Sequence, residues 1–216
     1  MSPTGDRSAQ SEEWARFYAG RSGGAYLKWP TESMVKLVYG RYLKNPLSLT
    51  PERRVLDVGC GFRNNLVPFI ESGCECHGVD IDPRIAEAST ALLASRGYKA
   101  SLRAGSNRGL PPDGHFDLLL SVNTLHYKGS EENVLAALRE FRRVVADRGA
   151  VYLSTVGPVH DIRSRAHPLG GMSYEVRNWD FRDGQRFYFF EDKQDLASTC
   201  RKVFADVETG RVTESL

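Results

Sequence analysis

From residue 54 onward, short apolar runs alternate with amphipathic stretches of helical period. RVLDVG (54–59), ECHGVDID (75–82), KASLRAG (99–105), FDLLLSVN (116–123) and AVYLSTVG (150–157) read as strands. Between them NNLVPFIESG, PRIAEASTALLASRG and EENVLAALREFRRVVADRG read as helices, the second with Pro83 in its first turn and Gly97 just beyond its end. FDLLLSVN is nearly continuous in its apolar character, the mark of a strand covered on both faces. Strand and helix in alternation with short loops build βαβ units, hence a parallel sheet flanked by helices.

The pattern is less regular at both ends. EEWARFYAG and TESMVKLVYGRYL predict two N-terminal helices, with Thr31 as a cap of the second. Residues 159–185 form an irregular excursion, followed by an extended RFYFF, a helix over DKQDLASTCRKVF and a last strand over ADVETGRV. Residues 1–11 are small and polar and predict a disordered tail.

Composition narrows the class. Hydrophobic residues at 41% and charged residues at 26% supply a core and a solvated surface. A net charge of +2, from 29 basic and 27 acidic residues, argues against nucleic acid or an anionic membrane as the main partner. No apolar run approaches the roughly 18 residues of a membrane span. The polar N-terminus has no leader pattern and the four cysteines read as reduced thiols, which predicts a cytoplasmic protein.

The chemistry concentrates at the end of the first strand. Gly59-Cys60-Gly61 lies where ligands bind in an open parallel sheet, outside the carboxyl ends of the strands. Asp80 ends the second strand about 20 residues later, where a carboxylate accepts from both hydroxyls of a ribose. Together they predict an adenosine-containing ligand. A dinucleotide loop requires a third glycine at position 64, which is Asn64 here, so a ligand without phosphates fits better. Asp57 reads as a loop organiser accepting backbone N–H groups; Arg63 reads first as a surface side chain, and otherwise as a partner for a ligand carboxylate or a substitution that weakens the site.

VLDVGCG, GVDID and LPPDGHFDLLLSVNTLHY, in that order, resemble the class I methyltransferases that use S-adenosylmethionine. The resemblance covers residues 53 to about 156 and implies a Rossmann-like, doubly wound, mostly parallel α/β sheet. It divides the chain into a helical cap (12–50), a cofactor-binding core (53–156), a substrate-side excursion (157–186) and a C-terminal helix and strand (187–216). It further implies that Asp57, Gly59, Cys60, Gly61, Asp80, Ile81, Ser106, Asn107 and Asn123 surround the cofactor, with S-adenosylhomocysteine as product. The family's sheet usually closes with two more strands; ADVETGRV supplies one, and the closing hairpin is expected to be incomplete.

The acceptor is less legible. His126 in NTLHY faces the predicted crevice and is a candidate general base. Tyr26 and Trp29 are candidates for an aromatic lid, and Arg163 and Arg165 for recognition of an anionic small molecule. The spacing Cys74-Glu-Cys76-His77 argues against a metal site, because alternation on a strand turns Cys76 and His77 to opposite faces. Two other readings use the same residues: a nucleotide-dependent oxidoreductase, and a domain that keeps the fold without catalysis.

Overall fold

In the computed structural model, residues 12, 29–40, 42–44, 49–107, 109–111, 116–179 and 182–213 are described. The predicted tail, most of the first N-terminal helix and Tyr26 lie outside them.

Helix α1 (Glu32–Tyr39) precedes β1 (Arg54–Val58), α2 (Val67–Glu71), β2 (Glu75–Asp80), α3 (Pro83–Ser95), β3 (Ser101–Ala104) and β4 (Phe116–Val122). A 3-10 turn (Leu125–Lys128) leads into α4 (Glu131–Val144) and β5 (Val145–Ser154). These five strands form one parallel sheet in the order β3-β2-β1-β4-β5. The order reverses between β1 and β4, which opens a crevice at their carboxyl ends.

Alternation along the central strands assigns the two faces. Leu56, Val58 and Leu119 pack with Val134, Leu138 and Phe141 of α4 on one side. Val55, Leu118 and Leu120 pack with Met34, Val38, Leu66 and Phe69 on the other, under α1 and α2. Helix starts are capped as their sequences direct: Asp82 accepts from Arg84 N–H, Ser130 from Asn133 N–H, and Asp192 from Gln194 and Asp195 N–H. At the opposite end of the sheet, Asp117 accepts from Arg54 N–H (2.8 Å) and from the Arg53 guanidinium (2.7 Å), tying β4 to β1.

The excursion has a structure of its own. A 3-10 turn (Asp161–Arg165) leads into β6 (Ala166–Gly170), β7 (Ser173–Val176) and β8 (Arg186–Tyr188), an antiparallel sheet in that order. Helix α5 (Lys193–Arg201) follows. Among the described residues no helix is long and apolar enough to cross a membrane.

Three expectations about element boundaries change. The fifth strand begins at Val145, because β4 pairs Phe116 with Val145 and then Leu118 with Ala150, leaving Ala146–Gly149 as a bulge between rungs. Helix α1 stops at Gly40 instead of running to Leu43. The stretch 205–212 is not a strand: it is irregular, while Val203, Phe204 and Val207 pack against the core through their side chains. The parallel sheet therefore has neither a sixth nor a seventh strand among the described residues.

Phe141 is fully buried where α4 meets the sheet. Phe141→Ala is expected to cost about 3–5 kcal/mol in urea unfolding. A loss below about 1 kcal/mol would show that this contact is not part of the core.

Candidate active site

The loop after β1 is held from three directions. Gly59 and Cys60 N–H both donate to Val79 carbonyl (2.7 and 3.2 Å), and Gly61 N–H donates to Asp80 Oδ2 (2.9 Å). Ser89 of α3 donates its hydroxyl to Gly61 carbonyl (3.0 Å). From β4's side Thr124 closes in: a β-carbon on Gly59 would lie 2.5 Å from Thr124 Cγ2. Gly59 also has φ of 76°, so glycine is required there twice over. Cys60 is buried beneath the loop, and burial pushes its thiol up, keeping it neutral.

Two buried carboxyls lie under this loop. Asp80 Oδ2 accepts from Gly61 N–H and Oδ1 from Asp82 N–H (3.1 Å). Ile81 N–H is a third backbone donor to this carboxyl, which leaves acceptor capacity for a ligand hydroxyl. Burial raises the Asp80 carboxyl above its ordinary value, opposed by these N–H groups. Asp57 is fully buried on the strand face that carries Val55, and neither of its oxygens has a hydrogen-bond partner. Burial, and then the charge of Asp80, push Asp57 up to about 8. Asp57 is therefore not the organiser of the loop; Asp80 has that role.

Arg63 also departs from expectation. It is 3% exposed, with φ of 54° in the left-handed region, and its N–H donates to Cys60 carbonyl (2.6 Å). The surface reading is overturned. Asn64 and Asn65 face outward from the loop to the segment before α1. Asn64 donates to Trp29 carbonyl (2.9 Å), and Asn65 accepts from Thr31 N–H (2.9 Å). The Trp29 side chain itself is exposed.

The neighbouring strand ends complete the crevice. Asn123, with φ of 53°, donates its N–H to Ser154 and accepts from the Ser154 hydroxyl (3.1 Å). Ile81 and Ser106 are half-buried beyond β2 and β3. Asn107 accepts from Lys128 Nζ (2.9 Å), linking the loop after β3 to the turn after β4.

His126 lies on that turn, 3% exposed, stacked on Phe187 of β8 (5.3 Å, 11°) and 4.3 Å from the Tyr127 ring. Its Nδ1 is 3.4 Å from Thr155 Oγ1. Burial, then the neighbouring His160 and the positive charges of Arg182 and Lys128, lower it to about 3, so the ring is neutral and weakly basic at pH 7. Arg163 donates to Phe190 carbonyl (3.0 Å) and lies over Phe189 and Tyr174. Arg165 donates to Asn178 carbonyl (2.8 Å) and lies over Trp179. Both hold the antiparallel sheet together. Cys74 and Cys76 are buried free thiols, and the described residues contain no His/Cys/Asp/Glu group suited to a metal ion.

Several of these residues carry no sequence signal. Asn64 and Asn65 read as ordinary loop polars. Gly78 reads as a strand glycine, yet a β-carbon there would meet Cys60 Sγ at 2.9 Å.

A glycine loop at the switch point of a parallel sheet, with a carboxyl at the end of the next strand, defines a Rossmann-like protein built for a nucleoside-containing cofactor. Residues 55–149 match the family model described as a methyltransferase domain. A chain of Encephalitozoon cuniculi named as a methyltransferase is 31% identical over 182 residues, covering 82% of this chain and 80% of that one. A malonyl-[acyl-carrier protein] O-methyltransferase of Halorhodospira halophila is 34% identical over 160 residues, 70% of this chain, and this chain spans only 47% of it. Among solved structures, the Burkholderia thailandensis 1,6-didemethyltoxoflavin-N1-methyltransferase, with S-adenosylhomocysteine bound, has a TM-score of 0.65 over 94% of this chain and 79% of that one. At 18% identity that likeness is one of fold. The chain belongs to the class I, S-adenosylmethionine-dependent methyltransferase family.

Asp57 generates a prediction about pH. Its folded value of about 8 lies above the ordinary 3.8, so the unfolded chain ionises first and stability falls as pH rises between those values. Asp57→Asn removes this loss. The ligand-free variant is expected to be more stable than the parent at pH 8, by about 1–3 kcal/mol, and nearly equal to it at pH 4. Equal stability at both pH values in denaturant titrations would show that the carboxyl is satisfied.

Proposed function

We propose that this chain transfers a methyl group from S-adenosylmethionine to a small-molecule acceptor that carries negative charge. One observation supports the cofactor more than any other: two buried carboxyls lie beneath a glycine loop, Asp57 with both oxygens unsatisfied and Asp80 held by backbone N–H groups with acceptor capacity left. A buried acid without a partner is costly, and a polar ligand beside the loop relieves it.

In this reading Asp80 holds the ribose hydroxyls, and Gly59, Cys60 and Gly61 let the methionine part approach the backbone. Ile81, Ser106 and Asn107 line the adenine end, and Asn123 and Asp57 close the remaining sides. The bound cofactor supplies a methyl group on a positively charged sulfur. The protein's own contribution is to orient the acceptor in line with that methyl and to exclude water. The positive charges of Arg182 and Lys128 near His126 support an anionic acceptor. Tyr26 and Trp29 remain candidates for covering the crevice. A domain that keeps the fold without catalysis is favoured by one feature, the buried Arg63 where the family usually has its third glycine.

Calorimetric titration separates these readings. S-adenosylmethionine and S-adenosylhomocysteine are expected to bind, and NADH is not. Asp80→Ala is expected to weaken both by at least about tenfold. Binding of NADH alone would overturn the methyl-transfer reading, and binding of none of the three would favour the non-catalytic domain.

A further inference from the structure

We propose that the acceptor reaches the crevice with its methyl-accepting atom already ionised, as a carboxylic acid, phenol or thiol, and that Lys128 and Arg182 select this anion over alcohols and amines. This rests on the methyl-transfer reading above and narrows its substrate class.

The turn Leu125–Lys128 leaves β4 beside the glycine loop, where Thr124 packs on Gly59. Positive charges converge on this turn from two segments. Lys128 comes from the turn itself and Arg182 from the connection between β7 and β8. Both act on His126. Lys128 Nζ reaches Asn107 Oδ1 at the loop after β3, and Arg182 Nε reaches the Tyr127 hydroxyl (3.1 Å). Lys128 therefore sits between the adenine end and this turn, and Arg182 between the turn and the antiparallel sheet.

The same turn lacks an accessible base. The His126 ring is covered by Phe187 and Tyr127, its Nδ1 faces Thr155, and a proton placed on it would meet the charges of Arg182 and Lys128. Asp80 is engaged with the glycine loop, and Asp57 lies beneath it. Among the described residues of this turn and the glycine loop, an acceptor that must lose a proton finds no carboxylate or imidazole placed to take it. An acceptor that is already an anion needs none. Its lone pair forms the bond to the methyl carbon, the sulfur–carbon pair stays on sulfur, and the sulfonium becomes a neutral thioether. No proton moves in that step. An ammonium acceptor would be repelled by the cations and would also have to be deprotonated.

The test uses the full chain saturated with S-adenosylhomocysteine and a set of matched acids, alcohols and amines on shared aromatic and aliphatic skeletons, benzoate, benzyl alcohol and benzylamine among them. Calorimetry is expected to find binders among the acids, at least about tenfold tighter than their matched alcohols and amines. Arg182→Gln is expected to weaken acid binding several-fold and leave S-adenosylhomocysteine affinity within about twofold, and Lys128→Gln is expected to weaken acid binding several-fold. Arg182→Lys should recover part of the loss, which separates charge from folding. Binding confined to alcohols or amines, no acid bound at all, or acid binding indifferent to both Gln substitutions would overturn the proposal. A protein that fails to bind S-adenosylhomocysteine would instead defeat the methyl-transfer reading on which it rests.

Discussion

The bond from Gly61 N–H to the Asp80 carboxylate is the constraint on which the rest of the site depends. It joins the end of β2 to the loop that leaves β1, at the point where the strand order reverses. Val79 carbonyl takes the two preceding N–H groups, and Asp80 carbonyl takes Gly105 N–H from the loop after β3. Three strand ends are thereby set by two consecutive residues. A loop pinned this way presents its backbone without rearrangement, which reduces the ordering cost of binding.

That preorganisation requires burying acids. Asp57 occupies a strand position whose neighbours on the same face are apolar, and it is paired across the sheet with Leu120. A leucine there would pack better and fold more stably. Keeping a carboxyl instead places unsatisfied polarity beneath the glycine loop at a cost in stability. His126 shows the opposite choice. It sits on the crevice but is covered by aromatic rings that continue through Phe187 to Phe189. The stack links the parallel sheet to the antiparallel one, so its packing has been favoured over its basicity.

Much of this architecture was legible in the chain. The strands around Leu56, Val79 and Leu119 announce themselves by apolar runs, and α3 and α4 by amphipathic period and caps. The glycine loop and Asp80 follow from spacing. What escaped depends on contacts between distant residues. The bulge at Ala146–Gly149 is invisible because VADRG continues the helical pattern. The stretch 205–212 alternates like a strand, yet its apolar residues reach the core without a ladder. Arg63 reads as a surface residue because sequence carries no measure of depth. The partnerlessness of Asp57 could not be read at all, since nothing local states that a carboxylate lacks a donor.

Asn64 and Asn65 carry a consequence for how this chain can change over generations. They follow the glycine loop directly and fasten it to Trp29 and Thr31, more than thirty positions upstream. A replacement at either asparagine loosens the N-terminal segment as well as the loop. A shortened or lengthened entry to α1 would in turn leave an amide side chain beside the glycines without its bond. The two stretches are thus bound to drift in concert, and lineages that alter residues 29–31 should carry matching changes at 64 and 65.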